Sequence, residues 1–136
     1  MKTKEWGHYG WSFIHYTALG YPTYPTNEDK RNYKLFYYNL QNTLPCAKCA
    51  RNYKKNISEH PIDPFLISSD ELFKWTVDIH NMVNNELNKP SFTYEEARNH
   101  YNSEKYDYNY IFKIISILLI TGVIITWVYT EGRRCG

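Results

Sequence analysis

Cysteine is scarce in this sequence, with 3 in 136 residues. That is too few for a disulfide scaffold and too few for a four-cysteine zinc site. Glycine and proline are also sparse, 6 of each, which leaves little turn chemistry for an all-β sandwich or barrel. Neither sign of charge dominates: 16 Lys plus Arg stand against 14 Asp plus Glu, a formal net charge of +2, and no basic run exceeds two residues. Such a balance leaves no electrostatic footprint for nucleic acid, and no nucleic-acid partner is expected. The N-terminus, MKTKEWGHYGW, lacks the apolar run of a signal peptide. There are no internal repeats, and no G-x-G-x-x-G follows a strand, which excludes a Rossmann-bound dinucleotide. Aromatic residues, by contrast, make up 18% of the chain, with 14 Tyr, 6 Phe and 4 Trp, a composition that argues against disorder.

One long apolar run is present. Tyr110 to Tyr129 reads YIFKIISILLITGVIITWVY, 20 residues with the single charge of Lys113 near its start. As a helix it would extend roughly 30 Å, the thickness of a hydrocarbon core. Tyr108, Tyr110, Trp127 and Tyr129 stand at its ends, where an aromatic belt belongs. A buried core helix is the alternative, but the rest of the chain is too small to wrap a helix that is apolar all round. The expected organisation is a domain over 1–105, a transmembrane helix over 110–129 and a short tail over 130–136. Lys105 before the span and Lys113 near its start balance Arg133 and Arg134 after it, so flanking charge does not orient it. A span near the end with no leading signal reads as a tail anchor, leaving residues 1–109 cytosolic.

The domain reads as all-α. Trp11, Ile14, His15 and Ala18 form a helical stripe between Trp6 and Leu19, and the prolines of YPTYPTNED end it. Lys30 to Leu44 carries Tyr33, Phe36, Tyr37 and Leu40 at helical spacing, and Pro45 fits the first turn of a third helix, PCAKCARNYKKNI. Ser68 to Glu71 offers caps for a fourth helix reaching about Asn88, with Leu72, Trp75, Ile79, Met82 or Val83, and Leu87 on one side. Thr93 and Glu96 form a capping-box pattern opening a short fifth helix to about Tyr101.

Cys46 and Cys49 form a C-x-x-C pair with four readings. Zinc would need two more ligands, and His60 or His80 lies at poor spacing for it. A thioredoxin-like motif would need a βαβ unit. Two inert buried cysteines and a helix-borne redox disulfide complete the set. Position favours redox, because thiols at a helix N-terminus meet unpaired N–H groups and the positive end of the dipole. Cys46 is nearer that end and should be the more nucleophilic, with Lys48 adding positive charge. Gly7, Trp11 and His15 fall four apart and stack along one helical face, open to a flat ring system or simply core. His80, Asn81, Val83, Asn84, Leu87, Lys89 and Pro90 form a second cluster. His80, Asn81 and Asn84 share a face and could serve a heteroaromatic ring edge, Val83 and Leu87 could floor it, and Lys89 could meet a phosphate. The bland reading of that cluster is a solvated polar face.

Trp-Gly-x3-Trp-x3-His, Pro-Cys-x-x-Cys and His-Asn-x-Val-Asn-x-x-Leu-x-Lys-Pro, in this order over about residues 5 to 101, resemble the Erv/ALR family of FAD-linked sulfhydryl oxidases. The resemblance implies a four-helix bundle with a short fifth helix enclosing FAD, usually as a homodimer. It assigns cofactor contacts to Gly7, Trp11 and His15, to Cys49, to His80, Asn81, Val83, Asn84, Leu87 and Lys89, and to Tyr101, where the family often has tryptophan; it calls for no metal. It also implies a relay in which a substrate thiolate attacks Cys46, Cys49 passes electrons to FAD, and O2 is reduced to hydrogen peroxide. The substrate would be a thiol-bearing protein or a thioredoxin-like intermediate.

The chain departs from the family pattern at His8, where arginine is frequent, and at Asp78, where histidine is. Ser58 and Tyr94 occupy the places of a second, structural disulfide, and Cys135 is the one thiol left for a shuttle, a lipid or an interchain bridge. Short members of the family in large cytoplasmic DNA viruses make disulfides in virion membrane proteins, which fits a cytosolic site in host cytoplasm or at a virion membrane. The alternative from another class is a membrane-anchored helical adaptor whose C-x-x-C binds zinc or is inert.

Overall fold

The computed structural model describes residues 3–102 and 108–134. In order these form α1 (Thr3–Leu19), α2 (Asn27–Thr43), α3 (Ala47–Glu59), a 3-10 turn (Asp63–Phe65), α4 (Ser69–Glu86), α5 (Tyr94–Asn102) and α6 (Tyr108–Arg134). The chain divides into two units, 1–101 and 102–136. The end of the expected domain near Lys105 and the thiol of Cys135 lie outside the described residues.

Local chemistry sets the helix ends. Thr26 caps α2: its hydroxyl oxygen accepts from the Asp29 N–H at 3.1 Å, and the Asp29 carboxylate accepts from the Thr26 N–H at 2.8 Å. Thr93 and Glu96 repeat that reciprocal pattern at the start of α5, and Ser68 caps α4. At the far end of α4, Asn88 takes φ 52°, the left-handed conformation that stops a helix and that asparagine tolerates best after glycine. The start of α3 differs from the sequence expectation. Cys46 is its N-cap and Pro45 precedes it, outside the first turn, because extended backbone at Cys46 lets its sulfur accept from the Cys49 N–H at 3.2 Å.

Helix α4 is the centre of the first unit, packed against α1, α3 and the 3-10 turn, while α2 packs on α3. Leu72, Phe73, Trp75, Thr76, Val77 and Ile79 are all buried, so α4 is apolar nearly all round over that stretch. The expected stripe holds for Leu72, Trp75 and Ile79, but Leu87 is 50% exposed, because it forms the C-cap after the helix has ended at Glu86.

Aromatic hydroxyls and an indole tie the elements together through backbone carbonyls. Tyr37 on α2 donates to Ile14 O at 3.0 Å, Tyr53 on α3 to Tyr37 O at 3.1 Å, Tyr21 to Leu66 O at 3.1 Å, and the Trp75 indole to His60 O at 2.9 Å. The abundance of tyrosine thus has a packing reason: the ring fills core volume and its hydroxyl finds a partner. Burial pushes the Tyr37 and Tyr53 phenols well above their usual range, so both stay protonated donors.

A second tie is made by polar side chains. The Asp78 carboxylate accepts from the Tyr94 hydroxyl at 2.7 Å and meets His60 Nε2 at 3.2 Å. This clasp joins the end of α3, the middle of α4 and the start of α5. Ser58 is exposed and its hydroxyl donates to Lys55 O.

In the second unit α6 runs 27 residues, longer at both ends than the apolar run read from the sequence. Its large apolar side chains from Phe112 to Trp127 are exposed. The side chains at 110, 111, 128 and 129 fall outside the described set. Among the described residues no helix is long and apolar enough to cross a membrane.

Candidate active site

Cys46 and Cys49 are joined as a disulfide at the start of α3, with Cα atoms 5.2 Å apart. The N-terminal position is what the pair needs. On reduction, the Cys49 N–H that now reaches Cys46 Sγ would stabilise a thiolate there, as would the positive end of the helix. Both cysteines are half-buried, so a thiol outside the protein can approach. The Thr3 hydroxyl lies 3.7 Å from Cys49 Sγ, which brings the beginning of α1 to the disulfide. Asn52, one turn beyond Cys49, donates to Glu86 at 2.8 Å, which brings the end of α4 to the same region.

A cluster of rings lies further along α1 and α4. Trp11 stacks on His80 with centroids 3.9 Å apart and planes 6° from parallel. His15 lies 4.5 Å from Tyr101 of α5 and 5.3 Å from His80, and Phe92 closes on His80 at 5.7 Å. The two histidines are bonded, His15 Nε2 to His80 Nδ1 at 3.0 Å, and His15 Nδ1 reaches Thr76 Oγ1 at 2.9 Å. Burial is the main reason that both imidazoles are pushed down, His15 to about 3 with the His80 and His100 rings adding to it, and His80 to about 4 with Lys89 adding to it. Both rings are therefore neutral at physiological pH.

The structure brings Trp11, His15, His80 and Tyr101 into one cluster; the sequence spacing places Trp11 and His15 on one face of the first helix and leaves their meeting with His80 open. Asn84 is buried beside the turn that ends α4, and its carbonyl accepts from the Leu87 N–H and the Lys89 N–H. Val83 is half-buried, and Leu87 and Lys89 are exposed. Gly7 is half-buried, and a side chain there would first meet Thr3 at 3.3 Å. Asn81 departs from the expectation of a free amide facing a ring edge. Its Nδ2 donates to Phe92 O at 2.8 Å and its Oδ1 accepts from the Phe92 N–H at 2.9 Å, because the segment after α4 turns back and needs its backbone groups paired.

Sequence reading missed Thr76 and Phe92. Thr76 has one signal: it stands four residues before His80, hence on the same face of α4, as a hydroxyl in an otherwise apolar stretch.

The Erv1 / Alr family matches residues 8–105. The chain belongs to that family. Among its Erv1/Alr relatives is a protein of Acanthamoeba polyphaga mimivirus named "probable FAD-linked sulfhydryl oxidase", 47% identical over 98 residues, covering 71% of this chain and 68% of the relative. The mitochondrial FAD-linked sulfhydryl oxidase ERV1 of Saccharomyces cerevisiae is 35% identical over 89 residues, 65% of this chain and 46% of the relative. This chain thus spans about two thirds of the viral relative and about half of the yeast one. The solved yeast Erv1 core superposes with a TM-score of 0.70 at 30% identity, covering 76% of this chain and 86% of that one. The FAD-binding domain of Saccharomyces cerevisiae Erv1 gives the same TM-score at 31% identity, covering 76% and 96%.

Proposed function

We propose that this chain is an FAD-dependent sulfhydryl oxidase that forms disulfides in protein substrates. The observation that carries the reading is the Cys46–Cys49 disulfide at a helix N-terminus, in a bundle whose α1 and α4 run from that disulfide to a paired-histidine ring cluster. The residues present fit a flavin dinucleotide. Trp11, His80 and Tyr101 supply flat faces, His80 and Asn84 supply polar groups, and the exposed Lys89 supplies a cation for a diphosphate. Gly7 and Val83 would line the same site, Asn81 would shape it by holding Phe92, and Leu87 would border it. FAD, when bound, supplies the two-electron sink that passes electrons to O2 and yields hydrogen peroxide.

The protein's own steps follow from the geometry. A substrate thiolate attacks Cys46 Sγ, the Cys46–Cys49 bond breaks, and the electron pair leaves on Cys49. A second substrate thiol attacks the mixed disulfide, releasing Cys46 as a thiolate held by the Cys49 N–H and the end of α3. Cys49, which the Thr3 hydroxyl approaches from α1, is the sulfur that delivers the electrons onward, and Cys46 recloses the bond. The adaptor alternative is not favoured, since the relatives carry oxidase names.

Three further parts belong to this reading. The functional unit is a homodimer, supported by the exposed aromatic stripe Tyr9, Phe13 and Tyr16 on α1 and the exposed Leu35 of α2. The chain is anchored through residues 110–129, supported by a 27-residue helix, about 40 Å long, whose described apolar side chains find no cover. The catalytic domain faces the cytosol, in host cytoplasm or at a virion membrane, and passes disulfides to a thiol protein or a thioredoxin-like intermediate in a viral pathway. The mimivirus relative supports that placement.

The test is the visible absorption of the purified full chain before and after dithiothreitol in air-free buffer. A flavin band that bleaches and returns on admitting air is expected. A colourless protein that cannot be reconstituted with FAD would overturn the proposal.

A further inference from the structure

The bonds around His15 carry a direction that can be read without seeing a hydrogen atom. Thr76 Oγ1 lies 2.6 Å from Phe73 O, and two oxygens that close need a proton between them. A carbonyl has none to give, so the Thr76 hydroxyl donates to Phe73 O. Its only proton is then spent, and the 2.9 Å contact with His15 Nδ1 must be donated by the ring. His15 is 1% exposed and neutral, so a proton on Nδ1 leaves Nε2 as a bare lone pair. That lone pair faces His80 Nδ1 at 3.0 Å, which must therefore carry the proton. His80 is neutral as well, so its Nε2 is bare. Among the described residues nothing bonds that atom. Flipping either ring is no escape, because carbon would replace nitrogen at both contacts of His15 and at the contact of His80 with His15.

We propose that Thr76 is a positioning residue that sets the tautomer of both histidines, so that His80 presents Nε2 to the site as an acceptor and accepts only an N–H or O–H of the cofactor. An acceptor placed there, a carbonyl or phosphate oxygen, would face a lone pair. The tautomer assignment stands on the three hydrogen bonds and on the neutrality of the two buried rings. The part concerning the cofactor rests on the proposed FAD chemistry. Thr76 touches neither cysteine nor substrate and acts through His15, with the fully buried Phe73 carbonyl as the fixed end of the chain. Tyr101 packs on His15 at 4.5 Å, and the cationic groups that act on the pair are His100 and Lys89. Positive charge on either disfavours protonating the imidazoles and so preserves the neutral pattern.

The experiment is long-range proton–nitrogen NMR of the full chain with nitrogen-15 histidine at neutral pH, which distinguishes protonated from bare ring nitrogens. The expected pattern is Nδ1–H with bare Nε2 at both His15 and His80. Thr76→Val keeps the shape but removes the acceptor, and should convert both rings to Nε2–H or a mixture and weaken FAD retention roughly tenfold, the loss expected for one buried hydrogen bond. Thr76→Ser should restore both readouts, which a merely space-filling role of the side chain would not require. A protonated Nε2 on wild-type His80, or a Thr76→Val spectrum identical to wild type, overturns the assignment. Should Thr76→Val fail to fold, the wild-type spectrum alone decides. A colourless protein with the expected tautomers would sink the oxidase reading while leaving the Thr76 assignment standing.

Discussion

Acidification should unfold this bundle through its histidines before its carboxylates respond. In the unfolded chain an imidazole titrates at its ordinary value near 6.5, whereas His15 is held at about 3 by burial and by the neighbouring rings. A depressed folded value means the unfolded state binds the proton first, so the stabilisation is complete above the unfolded value and is lost as pH falls towards the folded one. From about pH 6.5 to about pH 4.5 the loss accrues at about 1.4 kcal/mol per unit, or about 2.7 kcal/mol for His15 alone. His80, held at about 4, accrues at nearly the same slope over the same range, less a discount for its partial exposure, for a total of about 4 to 5 kcal/mol. That is a large share of a small domain's stability. The Asp29, Asp70 and Glu96 carboxyls are all held below their usual range, chiefly by hydrogen bonds from Thr26, Lys74 and Thr93 respectively. Their contributions are lost only at lower pH. The assay is urea unfolding followed by tryptophan fluorescence across this window, with His15→Asn as the comparison. A free energy of unfolding that stays level between about pH 6.5 and about pH 4.5 would refute the burial argument.

Cys49→Ser should retain bound FAD and lose all turnover, read as thiol-dependent oxygen consumption alongside the flavin band; persisting consumption would rule out the relay. Tyr37→Phe removes the buried hydroxyl that donates to Ile14 O, at an expected cost of about 1 to 1.5 kcal/mol. By differential scanning calorimetry the melting temperature should drop about 4 to 8 °C per kcal/mol, with no change in flavin content. Phe13→Glu places a charge on the exposed α1 stripe and should turn the proposed homodimer into a monomer of unchanged helicity, measured by light scattering on gel filtration; a wild-type chain that is already monomeric would refute the dimer.

The elements of the first unit were largely legible because helical periodicity and capping chemistry are local. The stripe through Ile14, His15 and Ala18, the Thr93 cap and the C-x-x-C at a helix start all follow from neighbours within one turn. What escaped depends on partners far along the chain. Thr76 looks like one more core position until His15, 61 residues away, meets its hydroxyl. Asn81 reads as a ligand-binding amide until the chain folds Phe92 back onto it. The α3 start lies two residues later than the sequence places it, because proline is compatible with either side of that boundary and the Cys46 sulfur, which decides it, is a poor and uncommon cap.

The Asp78 clasp has a consequence for an oxidant that must itself be reduced in every turnover. Among the described residues the only disulfide is Cys46–Cys49, which closes too short a loop to restrain the unfolded chain much. Carboxylate, imidazole and phenol bind α3, α4 and α5 together without any sulfur. Among the described residues, then, the ties between helices do not depend on redox state: a reductant strong enough to open Cys46–Cys49 meets no second disulfide there to break.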